Sequence, residues 1–182
     1  MSRLFGKAVH AAYVVPDIQA AMQEFLDRGF GPMYLMDHIT PDARCRGERN
    51  NPCISAAFFN SGDMQIELLQ PHDETPTAYR EFLARNPKGG LHHIAYWADS
   101  LDGALKHAAA QGFDFTVVQE FIYPDGTPYE IYVERTGQPD GTLVQLMIDS
   151  PVRAFFDRVT AEAAKWDGSE PIRDALPILG DM

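Results

Sequence analysis

The chain has little cysteine. Only two of its 182 residues are cysteines, Cys45 and Cys53, and they show neither a CxxC spacing nor the companion pair expected of a metal ribbon or a disulfide framework. A chain of this length with 45% hydrophobic residues can bury a core without such cross-links. The sequence therefore predicts a reduced, cytoplasmic protein.

Positive charge and long apolar runs are also scarce. Fifteen lysines and arginines stand against 26 aspartates and glutamates, which gives a formal net charge of −11 at pH 7. This charge opposes binding to a nucleic-acid backbone or to an anionic membrane surface. No segment approaches the roughly 18 consecutive apolar residues of a membrane span. We expect a soluble protein with neither a nucleic-acid nor a membrane partner.

What the sequence does contain is an internal repeat. Segment 10–29 returns as segment 93–112, 83 residues later: a histidine opens a β-rich run, a helix N-cap residue follows seven positions on, and a glycine follows twelve after that. The corresponding pairs are His10 and His93, Asp17 and Ser100, and Gly29 and Gly112. Self-similarity at a fixed period indicates one supersecondary unit used twice. The repeat can bring both imidazoles to a shared centre.

The hydrophobic periodicity predicts the element order β-α-β-β-β for each unit. We assign unit one to residues 7–71, a linking helix to 75–87 and unit two to 90–149, which together form a single domain, 1–149. Residues 150–182 complete the chain. They comprise a C-terminal helix that begins at Ser150-Pro151 and a loosely held tail of 15 residues.

Two further features lie outside the repeat. Segment 40–52 is polar and rich in turn residues, which predicts a mobile loop in unit one. The C-terminal helix carries an apolar stripe that either its own sheet or a partner chain could cover; the stripe comprises Val152, Phe155, Phe156 and Val159.

Four segments resemble the vicinal oxygen chelate superfamily, which includes glyoxalase I, methylmalonyl-CoA epimerases, fosfomycin-resistance proteins and extradiol dioxygenases. They are residues 10–17, 64–71, 90–96 and 142–147, and the Gly-Leu-His-His-Ile-Ala-Tyr of 90–96 is similar to the epimerase-like branch. In that family two βαβββ modules form an open, eight-stranded, cup-shaped barrel. The resemblance implies this α+β fold here, with the C-terminal helix added. It also implies a homodimer.

The resemblance implies one divalent metal ion, of Zn, Co, Ni, Mn or Fe. Carried over by position, its ligands are His10, Glu67, His93 and Gln145. The local sequence supports this set, because Glu67 and Gln145 each stand alone in an apolar run where an unpaired polar group would cost several kcal/mol. His92, beside His93, is expected to point to the opposite face of its strand and to have a structural role. His38 and His72 follow no ligand pattern.

The order of the ligands departs from that of the epimerases. They have His, Gln, His, Glu in chain order, whereas this chain has His, Glu, His, Gln. The position of the separate catalytic glutamate of the epimerases falls at Asn50, which cannot accept a proton. Two residues remain as candidate bases: Glu67, if a metal-bound carboxylate takes the proton itself, and Glu48, in segment 40–52.

The function predicted from these residues is that of a metal-dependent isomerase, epimerase or lyase that removes a proton next to a chelated carbonyl of a small-molecule substrate. Aromatic residues on the later strands predict an apolar or aromatic substrate; they are Phe58, Tyr123, Tyr129 and Tyr132. One alternative is a non-haem Fe(II) dioxygenase with a His10, His93, Glu67 triad. Another is a binding protein of the resistance type, without catalysis.

Overall fold

A computed structural model describes residues 1–138 and 141–180. The strands are β1 Ala8–Val14, β2 Met33–Ile39, β3 Ala43–Cys45, β4 Glu48–Asn50, β5 Ile54–Ser61, β6 Met64–Pro71, β7 Gly90–Trp97, β8 Phe115–Ile122, β9 Pro128–Arg135, β10 Leu143–Met147 and β11 Ile172–Asp174. The helices are α1 Ile18–Asp27, α2 Ala78–Arg85, α3 Leu101–Ala110, α4 Pro151–Ala163 and α5 Leu176–Gly180. The fold is α+β with a mixed sheet.

The repeated residues begin and end the equivalent helices as predicted. The Asp17 carboxylate accepts a hydrogen bond from the Ala20 backbone N–H at the start of α1, and the Ser100 hydroxyl does the same for Gly103 at the start of α3. Both stop glycines adopt the left-handed conformation that ends a helix, with φ of 84° at Gly29 and 82° at Gly112.

All the strands of the described residues belong to one sheet, in the order β11-β2-β5-β6-β1-β7-β10-β9-β8-β3-β4. The first strands of the two units, β1 and β7, are antiparallel neighbours at the centre. Each is flanked by the last strand of its own unit, which runs parallel to it: β6 beside β1, and β10 beside β7. The four ligand positions predicted from the sequence therefore fall on four consecutive central strands.

Within the described residues the sheet has eleven strands, three more than the eight predicted. The three additional strands lie at the ends of the sheet. Segment 40–52, expected to be a mobile loop, forms the hairpin β3–β4, and β3 pairs with β8 of the second unit. The tail was also expected to be loose, but β11 within it pairs with β2; residues 181 and 182 of this tail lie outside the described residues.

The hairpin requires a curved sheet. The two repeated units supply eight consecutive strands of the sheet, and β2 and β8 are the outermost two of these. Yet the chain passes from β2 to β3, the partner of β8, through residues 40–42 alone. A link of this length spans at most about 14 Å. The sheet must therefore curl until its two ends approach each other, so that it encloses a concave face.

The helices cover the two faces of the sheet unequally. Ile18 and Met22 of α1 pack with Phe59 on one face, and side chains of α3 pack with Ile131 on the same side of the second unit. Helix α4 lies on the other, concave face, where Phe155 and Phe156 pack with Phe58. Because side chains alternate along a strand, Phe58 and Phe59 point in opposite directions. The apolar stripe of α4 thus covers this chain's own sheet.

None of the helices within residues 1–138 and 141–180 is long and apolar enough to cross a membrane.

Candidate metal centre and cavity

Three of the predicted ligands meet on the concave face. His10 lies on β1, Glu67 on the neighbouring β6 and His93 on the neighbouring β7, and their exposed fractions are 1%, 5% and 0%. Glu67 Oε2 lies 3.2 Å from His10 Nε2 and 3.3 Å from His93 Nε2, and the two Nε2 atoms are 3.4 Å apart. Ligand atoms about 2.1 Å from a tetrahedral ion would be separated by about 3.4 Å. The three atoms therefore fit one face of such a site.

The fourth predicted ligand, Gln145 on β10, is held beside the other three. Its amide Nε2 donates a 3.0 Å hydrogen bond to the Tyr132 hydroxyl, which fixes the orientation of the amide. Its Oε1 is buried and accepts no hydrogen bond from any of the described residues. A buried carbonyl oxygen without a donor is destabilising unless a cation or water contacts it. The structure thus brings all four predicted side chains together, and they fit a divalent ion.

The charges of these groups also suit a cation. Burial would raise the pKa of Glu67, but the adjacent imidazole rings of His10 and His93 outweigh burial and lower that pKa to about 2. Burial and the nearby His10 lower the pKa of His93. The donor set is one carboxylate, two imidazoles and an amide oxygen, which is typical of sites for zinc and other first-row divalent ions.

A cavity of about 120 Å³ opens beside these residues. A dry engineered cavity of about 150 Å³ holds benzene, so this one accommodates a molecular fragment of similar size. Three of the predicted substrate residues line it: Phe58, Tyr129 and Tyr132. The wall formed by α4 includes Phe156, whose ring packs edge-on against the His10 ring with centroids 5.5 Å apart.

Two predicted residues lie away from this cavity. Tyr123 follows the end of β8, is 39% exposed and packs against Tyr129 with ring centroids 4.9 Å apart. It is not among the residues that line the cavity. Glu48 belongs to β4, the outermost strand of the sheet, and is exposed. Glu48 is not among the residues that line the cavity. The structure therefore gives no support to Glu48 as a base.

The structure adds a carboxylate that the sequence interpretation missed. Glu130 on β9 lines the cavity, and its Oε1 accepts a 2.7 Å hydrogen bond from the Tyr132 hydroxyl. Burial and the negative charge of Glu67 raise the pKa of Glu130 to about 7. The sequence held a signal for it, because Glu130 precedes Tyr132 by two positions and residues at i and i+2 share a strand face.

His92 also lies where the sequence interpretation did not place it. The pairing of β1 with β7 slips between Ala12, opposite His93, and Tyr13, opposite Leu91. This β-bulge interrupts the alternation of side chains, so His92 reaches the same side as His93, and their Nδ1 atoms lie 2.9 Å apart. Burial and the neighbouring His93 hold the pKa of His92 well below its usual value. The expectation of opposite faces is wrong.

A second group of possible ligands lies elsewhere, at Asp37, His38 and His72. The His38 and His72 rings stack with centroids 4.0 Å apart and planes 14° apart. Nitrogen lone pairs lie in the ring plane, so two nearly parallel rings do not direct them at a common point. The Asp37 carboxylate already accepts a 2.7 Å hydrogen bond from Ser55. We interpret this group as a surface hydrogen-bond cluster.

Comparison with known proteins agrees with this geometry. The family model described as "Glyoxalase/Bleomycin resistance protein/Dioxygenase superfamily" matches residues 9–130. The chain is 31% identical over 114 residues to the ethylmalonyl-CoA/methylmalonyl-CoA epimerase of Cereibacter sphaeroides, a match that covers 59% of this chain and 75% of that protein. It is 29% identical over 112 residues to the mitochondrial methylmalonyl-CoA epimerase of Dictyostelium discoideum, covering 58% and 57%. The chain thus spans little more than half of the second relative.

Among solved structures, the methylmalonyl-CoA epimerase from Mycobacterium tuberculosis superimposes with a TM-score of 0.52 at 19% identity. The superposition covers 85% of this chain and 95% of that one. At this level of identity the similarity concerns the fold.

Proposed function

This chain belongs to the glyoxalase, bleomycin resistance protein and dioxygenase superfamily, and from that membership we propose that it is a metal-dependent isomerase of the epimerase type. The observation that carries the proposal is the convergence of His10, Glu67, His93 and Gln145 beside a largely apolar cavity. In this proposal the four side chains hold one divalent ion. A bound ion of this kind polarises a carbonyl oxygen of the substrate and stabilises the negative charge that develops when a neighbouring carbon loses its proton.

The protein itself must supply the proton transfers. An epimerase removes a proton from one face of a carbon and returns one to the opposite face, which calls for two acid–base groups. Two carboxylates adjoin the cavity, Glu67 and Glu130. We propose that Glu67, one of the two candidate bases from the sequence, removes the proton, and that Glu130 is the second acid–base group. Tyr132 holds Glu130 by its hydroxyl and keeps the carboxylate directed at the cavity.

The volume of the cavity limits the size of the reacting part of the substrate. Its volume, about 120 Å³, suits a short acyl chain or a single ring, and none of the described residues that line it is a lysine or an arginine. We propose a substrate whose reacting end is small, oxygenated and apolar or aromatic. The epimerases to which the chain is similar act on acyl-CoA esters; the carrier portion of such an ester would have to lie outside this cavity.

Exchange of a substrate C–H proton with solvent tests the proposal. The protein, loaded with a divalent ion, is incubated in deuterium oxide with 2-hydroxy ketones, 2-oxo acids and acyl thioesters, and NMR follows loss of the proton signal. We expect exchange with at least one class, because proton removal next to the carbonyl precedes any isomerisation. The absence of exchange in all three classes would contradict the proposal.

A second candidate function is favoured by one observation. His10, His93 and Glu67 alone form a two-histidine, one-carboxylate triad with atoms 3.2 to 3.4 Å apart, which is the donor set of non-haem Fe(II) oxygenases. Oxygen consumption with a catechol and Fe(II), together with no proton exchange, would support a dioxygenase instead. A protein that binds the compounds without turnover would correspond to the resistance type.

We also propose a homodimer in the reduced environment of the cytoplasm. The α4 stripe cannot form its interface, because Phe155 and Val159 are already fully buried within one chain. Light scattering at micromolar concentration is expected to give twice the 20.3 kDa of the chain; a mass of one chain would contradict the dimer and leave the metal site unaffected.

A further inference from the structure

His92 makes two hydrogen bonds inside the protein that together determine where its protons lie. Its ring is 2% exposed, its Nε2 is 3.3 Å from the carbonyl oxygen of Ala78, and its Nδ1 is 2.9 Å from Nδ1 of His93. A carbonyl can only accept, so Nε2 of His92 carries a hydrogen. In the neutral ring Nδ1 is then the acceptor, and the hydrogen between the two rings belongs to His93.

This assignment fixes the state of His93. With its hydrogen on Nδ1, the neutral His93 ring presents the Nε2 lone pair, and Nε2 is the atom that faces His10 Nε2 and Glu67 Oε2. The opposite tautomer would direct a hydrogen at the centre and prevent coordination. Ligating histidines are commonly oriented through the ring nitrogen that does not bind the metal.

We propose that His92 is a positioning residue that holds His93 in its metal-binding tautomer and anchors it to the first residue of α2 through Ala78. The inference rests on the proposed function, because it assigns His93 to a metal. It also predicts an asymmetry between the two repeated histidines. His10 Nδ1 is buried and finds no hydrogen-bond partner in the described part of the chain, so only the second-unit histidine has its tautomer set by the protein.

The competing explanation is that His92 merely fills space. Its ring packs edge-on against Phe82, with centroids 5.2 Å apart, and contacts Tyr79 at the same distance. For a packing role phenylalanine would be the better replacement, because it preserves an aromatic ring of similar volume. For the positioning role asparagine would be better, because its amide oxygen can accept near the position of Nδ1 and its NH₂ can donate. The two explanations therefore predict opposite rankings.

The experiment compares His92→Phe, His92→Asn and the control Phe82→Leu, which disturbs the packing of the same ring but keeps both of its hydrogen bonds. Titration with Co²⁺ measures metal affinity and urea unfolding measures stability. We expect His92→Phe to raise the Kd for Co²⁺ by about 10- to 100-fold, the usual effect of losing such a partner, and His92→Asn to stay within about fivefold of the unsubstituted protein. Phe82→Leu is expected to lose stability and keep its affinity.

The stability against urea should rank His92→Phe above His92→Asn, which is the reverse of their expected affinities for Co²⁺. His92→Asn leaves part of an aromatic-lined space empty, so it should unfold at a lower urea concentration than His92→Phe. In the metal-free protein, ¹⁵N NMR of the histidine rings should show His93 protonated on Nδ1, and His92→Phe should increase the form protonated on Nε2. This readout does not depend on activity.

The outcomes separate this inference from the proposed function. Unsubstituted protein that binds no Co²⁺ would overturn the proposed function, and the ligand role of His93 with it. Tight binding by the unsubstituted protein, with an equal Kd in His92→Phe or equal losses in His92→Phe and His92→Asn, would overturn the role of His92 alone.

Discussion

Replacing Glu67 by glutamine is expected to reduce solvent exchange of a substrate proton by about 10²- to 10⁴-fold, the range typical of a lost general base. The amide still offers an oxygen to a metal but cannot accept a proton at neutral pH. Glu67 Oε2 lies within 3.3 Å of both histidine Nε2 atoms, so the substituted side chain remains next to the ion. NMR in deuterium oxide measures the exchange rate, and elemental analysis measures the metal that is kept.

Two further variants make this result specific to Glu67. Glu130→Gln removes the other cavity carboxylate, and if Glu130 only returns the proton, exchange at the first face should persist while conversion between epimers falls. Gln145→Ala should weaken metal binding or substrate placement and leave residual exchange. Exchange retained in Glu67→Gln and lost in Glu130→Gln would reverse the roles proposed for the two carboxylates.

The second large effect concerns the metal itself. Protein purified without chelator is expected to contain about one divalent ion per chain, and the His10→Ala/His93→Ala variant should contain less than about a tenth of that, because two of the four ligands are gone and the loss of ligands lowers affinity steeply. Elemental analysis of both samples gives the ratio directly. Equal metal content in the two would remove the assignment of the site.

The chain offers a matched control for the double histidine variant. His38→Ala/His72→Ala also removes two neighbouring imidazoles beside a carboxylate, but from the cluster whose rings stack nearly in parallel. We expect its metal content to equal that of the unsubstituted protein. If this variant lost the ion and the other kept it, the metal would belong to the surface cluster.

Features that repeat in the sequence were the ones that could be predicted from it. The helix caps at Asp17 and Ser100 depend on local hydrogen bonds and are visible within short windows. The ligand set was instead carried over from the family resemblance, with support from the single polar residue in each apolar run. The hairpin of segment 40–52 was not visible in this way. Its strands are only three residues long, and β3 is stabilised by pairing with β8, some 75 residues later, for which the local sequence carries no signal.

The errors at the site have a similar physical origin. His92 was misplaced because a β-bulge shifts the alternation by one residue, and a bulge depends on the partner strand. Tyr123 was included as an aromatic residue of a strand, but β8 ends one residue earlier. Glu130 was overlooked because acidic residues on strands are usually solvated; only the tertiary structure shows that it faces the cavity with Tyr132.

The passage of the chain from β2 to β3 also decides how the molecule can be divided. A break between α2 and β7 would leave β3 and β4 in the N-terminal fragment, although β3 completes the edge formed by β8 in the C-terminal one. The same break would separate β1 from β7, the central pair. Each fragment would lack strands that only the other supplies, and each would carry only two of the four ligand-bearing strands, β1 and β6 in one and β7 and β10 in the other. The two halves repeat each other in sequence, yet the four proposed ligands meet only when both halves are present.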